Sequence, residues 1–212
     1  ALPLRTELSM LVRLLGIRDV AIEKDFLHSA HGLPYRDVRD GIDRVFREHV
    51  TIHRSAKLFE ETQIGSHNFL MANSHVGHNS ILGNNIIVAN GALVAGHVTI
   101  QDRVFISGNC LIHQFVRVGT LALMQGGSAI SKDLPPFTIA RGDNHICGLN
   151  TIGLRRAGVS AEERLELKKV YHAVFRNGQP IRAATEHAFG EFAGLRARAL
   201  LEFIQASKRG VC

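Results

Sequence analysis

The stretch Ile64–Gly119 reads "IGSHNFLMANSHVGHNSILGNNIIVANGALVAGHVTIQDRVFISGNCLIHQFVRVG", and counting along it in sixes meets an aliphatic side chain at every step. The count extends in both directions: Phe46, Ile52, Leu58, Ile64, Leu70, Val76, Leu82, Val88, Val94, Ile100, Ile106, Ile112, Val118, Met124 and Ile130 are all apolar. In a chain that is 45% hydrophobic, such a run arises by chance only about once in 10⁵ trials per register, so the period belongs to the fold. A period of six is neither the 3.6 of a helix nor the alternation of a single strand. It predicts a hexapeptide parallel β-helix, with three hexads to each triangular coil. The residue after the aliphatic is often small (Gly65, Gly77, Gly83, Ala95, Gly119) and suits a tight corner. Four residues after it comes a second small or β-branched side chain (Ser74, Ser80, Ala92, Val98, Cys110, Ser128), as a stacked interior requires.

Working outward, residues 46–135 are expected to form a parallel β-helix of about five coils, and residues 1–45 a non-repeating N-terminal segment with a short helix. Residues 136–212 are expected to be a connecting loop and an α-helical tail. The N-terminal helix is read at 5–15, ending at Gly16. The paired prolines of "KDLPPF" (Lys132–Phe137) end the repeat, because proline has no N–H for a ladder. Ser160 and Glu163 make a capping-box pattern at the start of a helix closed by Gly178-Gln179-Pro180, and two more helices are expected near 181–189 and 194–207. Three flat faces and an open coil end predict self-association, most simply a homotrimer.

Composition narrows the class. No apolar run is long enough for a transmembrane segment, and the N-terminal residues lack the pattern of a signal peptide, so a cytoplasmic protein is expected. Cys110, Cys147 and Cys212 are odd in number and lack CxxC spacing, which predicts free thiols, with Cys110 in the core. The net charge of +6 is diffuse and has no Trp and two Tyr beside it, which argues against nucleic acid and suits an acidic protein partner.

The chain has 12 histidines. Coil counting places His78, His97 and His113 at neighbouring positions of three consecutive coils, with His75 close by. Coils stack about 4.8 Å apart, so these imidazoles are expected to form a column along one edge. The same count puts His49 and His67 together on another edge. Two chemistries use such a column. An imidazole near its working pKa is a general base, and three neutral imidazoles with a water hold catalytic zinc, as in the carbonic anhydrases built on a left-handed β-helix. His78 and His113 lie two coils apart, roughly 10 Å, which argues against zinc within one chain.

The run from Asn68 to Gly119, followed by "KDLPPFTIARGDN", "GLNTIGLRRAG" and "FIQASKRG", resembles the acyl-carrier-protein:UDP-N-acetylglucosamine O-acyltransferase family of lipid A biosynthesis. The resemblance implies a left-handed β-helix, a cytoplasmic homotrimer, no metal and no cofactor. It also implies transfer of an (R)-3-hydroxyacyl chain from acyl carrier protein to the sugar 3-hydroxyl of the nucleotide-sugar substrate. It makes His78 the general base, gives the oxyanion donor to the Gly108 backbone N–H, and puts His75, His97, His113, Gln114, Asn150 and Arg156 at the nucleotide sugar. Gly126 stands where acyl length is gauged. This chain departs from the family's pattern at Asn79, where an aspartate follows the base, at Gly32 and Pro34 around Leu33 before Tyr35, and at Ile152. Those departures imply an alternative, a relative that binds a nucleotide sugar or acyl carrier protein without turnover. Glu60 falls one coil beneath His78, where it is either a stand-in for the missing aspartate as a partner of the base or a solvated corner carboxylate.

Overall fold

The computed structural model describes residues 38–40, 43–55 and 59–212. The helix expected at 5–15, the Gly32–Tyr35 stretch and Leu58 lie outside the described residues. Each repeating hexad supplies a two-residue strand whose second residue points inward. Every inward residue from Ile64 to Ile130 is at most 3% exposed. Successive strands fall in turn on three faces. Thr62–Ile64, Ile81–Leu82, Thr99–Ile100 and Arg117–Val118 lie on the first. Val45–Phe46, Phe69–Leu70, Ile87–Val88, Phe105–Ile106 and Leu123–Met124 lie on the second. Thr51–Ile52, His75–Val76, Leu93–Val94, Leu111–Ile112 and Ala129–Ile130 lie on the third. All of these strands pair in parallel, so aliphatic side chains stack on aliphatic side chains along the axis and form one continuous core. Each fully buried aliphatic contributes about 1.5–3 kcal/mol, which compensates for strands of only two residues.

The corners obey a rule of their own. The third residue after each inward aliphatic from Ile64 to Met124 has a left-handed backbone, and it is asparagine or glycine at Asn73, Asn79, Asn85, Gly91, Asn109 and Gly127. Asparagine and glycine tolerate that conformation best. The first residue after the aliphatic is constrained differently. A Cβ at Gly77 would lie 2.5 Å from the Gly96 backbone nitrogen on the next coil.

The coil count differs from expectation in one place. Phe46 pairs with Leu70 and Ile52 with Val76, whereas Leu70 pairs with Val88, so the first coil takes one more hexad than the rest. Four complete turns therefore run from Phe46 to Met124. The additional hexad enlarges the corner between the third and first faces, where Ser55 and Glu60 sit. It also separates His49 from His67, which occupy different corners, with His67 Nδ1 3.7 Å from Asp43. A further strand, Val38–Asp40, pairs with Thr62–Ile64 ahead of the expected start of the repeat.

The prolines do not end the second face. Thr138–Ala140 pairs in parallel with Leu123–Met124, and Ile146–Leu149 returns antiparallel to it, because Pro135 and Pro136 fall in the turn rather than the ladder. Four helices follow: α1 Thr151–Arg156, which sequence patterning missed, α2 Ala161–Phe175, α3 Ile181–Glu191 and α4 Leu195–Gln205. The capping box at Ser160 and Glu163 is formed in both directions. Buried Leu154, Leu167, Val170, Leu200 and Leu201 pack with Leu121 and Phe137, so the helices close on the end of the β-helix. Asp133, 1% exposed, is held by the Arg117 guanidinium at 2.8 Å and accepts from the Ser207 hydroxyl at 2.9 Å. That buried carboxylate also joins burial in pushing the Cys212 thiol up to about 12. Cys110 is buried in the core, where desolvation raises its pKa.

Candidate active site

The corner between the third and first faces gathers most of the polar chemistry. His78 follows the strand His75–Val76, Gly96 and His97 follow Leu93–Val94, and His113, Gln114 and Phe115 follow Leu111–Ile112. The imidazoles of His78 and His97 meet edge to face with centroids 5.1 Å apart. The other side of His97 stacks on Phe115 at 4.7 Å and 12°. The expected column of three histidines is therefore His78, His97 and Phe115. His97 and Phe115 share the left-handed corner position, whereas His113 sits two residues earlier, on the edge of the face. Its Nδ1 lies 3.2 Å from the Gln114 carbonyl, to which it donates.

His78 is the most constrained of the imidazoles. Its Nδ1 lies 2.9 Å from Asn79 Oδ1. An amide oxygen can only accept, so Nδ1 carries the proton and Nε2 presents its lone pair. Asn79 is buried at a φ of 60°. Its backbone N–H donates to Thr62 Oγ1 at 2.8 Å, and its Nδ2 donates to Ser55 Oγ at 2.8 Å and to Glu60 Oε2 at 2.7 Å. Glu60, read from the sequence as a partner of the base or a solvated corner carboxylate, accepts from the Asn79 amide, whose oxygen in turn meets the ring. On its other side, His78 lies against Gly96, where a Cβ would come within 2.8 Å of Nε2. Gly96 was missed in the sequence because it does not sit at the small position directly after the aliphatic.

His75 and His113 face a different space. Together with Leu93, Leu111, Ala129, Ser131 and Asn144 they line an open groove of about 680 Å³ along the third face. His75 Nδ1 hydrogen bonds with Thr51 Oγ1 at 2.8 Å, and its ring packs edge-on against His53 at 4.5 Å. Burial, and then the charge of His53, hold its pKa below the ordinary value of 6.5. Among the described residues, no three His, Cys, Asp or Glu side chains converge as metal ligands.

Four expected site residues lie elsewhere in the chain. Gly108 follows Phe105–Ile106 on the corner between the second and third faces, so within one chain it does not face His78. Gly126 stacks one coil above it, where a Cβ would be 3.5 Å from the Gly108 carbonyl oxygen. Asn150 is buried and its side chain has structural work. Oδ1 caps α1 by accepting from the Gly153 N–H at 2.9 Å, and Nδ2 donates to the Leu121 carbonyl at 2.8 Å. Arg156 is exposed in the last turn of α1 and does not line the groove.

A β-helix of stacked hexads, with an oriented imidazole on one corner, defines the class of hexapeptide-repeat transferases. Residues 61–96 match the model of the bacterial transferase hexapeptide, and residues 133–212 match domain 2 of UDP-N-acetylglucosamine O-acyltransferase. The acyl-[acyl-carrier-protein]–UDP-N-acetylglucosamine O-acyltransferase of Myxococcus xanthus is 46% identical over 174 residues, covering 81% of this chain and 67% of the relative. That of Synechocystis is 43% identical over 150 residues, 70% of this chain and 54% of the relative. Among solved structures, the UDP-N-acetylglucosamine acyltransferase of Bacteroides fragilis superposes with a TM-score of 0.80 at 34% identity, covering 92% of this chain and 76% of that one. The chain belongs to the UDP-N-acetylglucosamine O-acyltransferase family. It spans about half to two thirds of the length of the curated relatives it matches.

Proposed function

We propose that this protein transfers an (R)-3-hydroxyacyl chain from acyl carrier protein to the 3-hydroxyl of UDP-N-acetylglucosamine or a related nucleotide sugar, the first step of lipid A biosynthesis. The observation that carries the reading is the 2.9 Å contact between His78 Nδ1 and the Asn79 amide oxygen, which leaves Nε2 as the ring nitrogen able to accept a proton. Nε2 accepts the proton of the sugar hydroxyl as that oxygen attacks the thioester carbonyl. The tetrahedral intermediate collapses with cleavage of the C–S bond, and the imidazolium returns the proton to the departing thiolate. The products are an ester and the free thiol of the carrier, and no redox partner is needed.

Geometry refines the supporting roles. A carbonyl attacked beside Nε2 lies against the Gly96 backbone of the same corner, which makes Gly96 a better candidate for the oxyanion donor than Gly108 of the same chain. His97, stacked between His78 and Phe115, and His75 and His113 in the groove are positioned to bind the sugar nucleotide. Gly108 and Gly126 leave a side-chain-free corner suited to an acyl chain. That corner meets His78 only if it comes from a neighbouring copy, which supports a homotrimer. The partly exposed Leu93 and Leu111 on the third face, 44% and 48% exposed, give such an assembly an apolar surface. No helix among the described residues is long and apolar enough to cross a membrane, and a cytoplasmic site of action fits a carrier-protein donor.

A single-turnover assay with acyl carrier protein thioesters and several nucleotide sugars tests the reading. Ester formation is expected, and His78→Ala should lower the rate by about 10²-fold or more while leaving the far-UV spectrum unchanged. Transfer no faster than in that variant, with every sugar tried, would overturn it.

A further inference from the structure

We infer that Glu60 is a positioning residue that sets the tautomer of His78 through the side-chain amide of Asn79. The kinetic part of this inference rests on the acyl-transfer reading above, and the structural part does not. An asparagine side chain has one accepting end and one donating end. Whichever end meets Nδ1 decides which imidazole nitrogen keeps the proton. If the oxygen faces Nδ1, the proton sits there and Nε2 is a base. If the amide were flipped, its NH2 would face Nδ1, the proton would move to Nε2, and the base would be lost.

Glu60 removes the flipped alternative. Its carboxylate is acceptor-only, and at 2.7 Å it requires a donor from Asn79. Ser55 Oγ, 2.8 Å from the same nitrogen, takes the second amide hydrogen. With both hydrogens engaged, Oδ1 is left for His78 at 2.9 Å. The backbone of Asn79 is fixed as well, by its left-handed φ of 60° and by the N–H bond to buried Thr62. Glu60 itself is exposed. Its charge is therefore screened, and its influence on the ring is directional, through the amide it orients. The additional hexad of the first coil is what brings this carboxylate to the His78 corner. An asparagine next to the base thus retains the orienting function of a carboxylate, because a carboxylate stands behind it.

Nitrogen-15 NMR of the His78 ring, assigned by its loss in His78→Gln, reads the tautomer directly. In the unaltered protein Nδ1 should be the protonated nitrogen and Nε2 the bare one. Glu60→Ala should mix the two tautomers and lower kcat about tenfold, the scale of one hydrogen bond to a charged acceptor, with KM within about twofold. Asn79→Asp should also lower kcat, because two carboxylates would then face each other across a hydrogen-bond distance. Adding Glu60→Gln to Asn79→Asp should restore at least about fivefold of that loss, since the glutamine introduced at 60 donates to the new aspartate while the aspartate still accepts from Nδ1–H. An unchanged tautomer and kcat in Glu60→Ala, or a double variant no faster than Asn79→Asp, would overturn the inference. Should the protein transfer no acyl group at all, the proposed function falls and the NMR result decides this one alone. A shifted tautomer in Glu60→Ala sustains it and an unshifted tautomer overturns it.

Discussion

The corner that carries His78 and the corner that carries Gly108 and Gly126 are built on the same backbone. Both turn through a left-handed residue at the third position after the inward aliphatic: Asn79, His97 and Phe115 on one, Gly91, Asn109 and Gly127 on the other. Both stack coil on coil by backbone hydrogen bonds, as from the His97 N–H to the His78 carbonyl and from the Gly127 N–H to the Gly108 carbonyl. What differs is the cargo. One corner holds imidazoles, an amide and a carboxylate in mutual contact. The other carries Gly91, Gly108, Gly126 and Gly127 beside Asn109. The repeat needs only aliphatic side chains inside and residues tolerant of positive φ at the bends, so the remaining corner positions are free to carry function. Under the proposed function the two corners divide the labour of one reaction, proton transfer at the first and acyl-chain accommodation at the second.

Substitutions test this assignment of roles to the two corners. The largest effect is expected from paired glycine changes. Gly96→Ala forces a methyl against Nε2 of His78, and kcat should fall about 10²-fold, the lower range for loss of a general base, with little change in melting temperature. Gly108→Ala, whose Cβ would be no closer than 3.4 Å to the Asn90 carbonyl oxygen, should cost about threefold or less, as its N–H is retained. An equal loss at both positions, measured in the same single-turnover assay, would return the oxyanion role to Gly108 and blur the two corners into one.

A smaller effect is expected on the open corner. Gly126→Met places a side chain along it without backbone strain, since Gly126 is not among the left-handed residues. Competition between long and short acyl thioesters should shift toward the shorter by about tenfold, in keeping with the value of a few methylenes in an apolar site. No shift would mean that the acyl chain lies elsewhere.

The smallest effect concerns His75 in the groove, where the sign follows from its lowered pKa. Burial and His53 depress the folded-state value below 6.5, so between the two values the unfolded chain binds more protons than the folded one. Stability is therefore present above about pH 6.5 and is lost as the pH falls toward the folded-state value. His75→Gln should flatten that dependence, so that the fall in melting temperature from about pH 7.5 to about pH 5 shrinks by roughly 2 °C. An identical fall in both proteins would remove His75 from the titration.

Much of this was written in the order of residues. The inward aliphatics, the second buried position and the capping box of α2 are local or strictly periodic features, and periodic features survive projection onto a line. The motifs that make His78 the candidate base are likewise contiguous in sequence. Other features were not legible. The additional hexad of the first coil kept the count in sixes and so hid itself: Leu58 is apolar in register, yet Ile52 pairs with Val76, one hexad beyond the regular spacing. The separation of His49 from His67 followed from that hidden insertion. The capping role of Asn150 was not legible, because such partners are set by the turn into α1, which no periodicity announces.

By itself, the sequence determined the prism, its core and the helical closure, because hydrophobic burial at a fixed period admits one economical solution. It also determined that His78 and its neighbours share an edge. Which groups touch came from the three-dimensional packing: Phe115 rather than His113 completes the stack on His97, Gly96 lies under Nε2, and Glu60 meets the Asn79 amide. The physical reason is scale. Burial is non-directional and is satisfied by pattern, whereas a hydrogen bond depends on a few tenths of an ångström and on which end of a side chain is turned toward its partner.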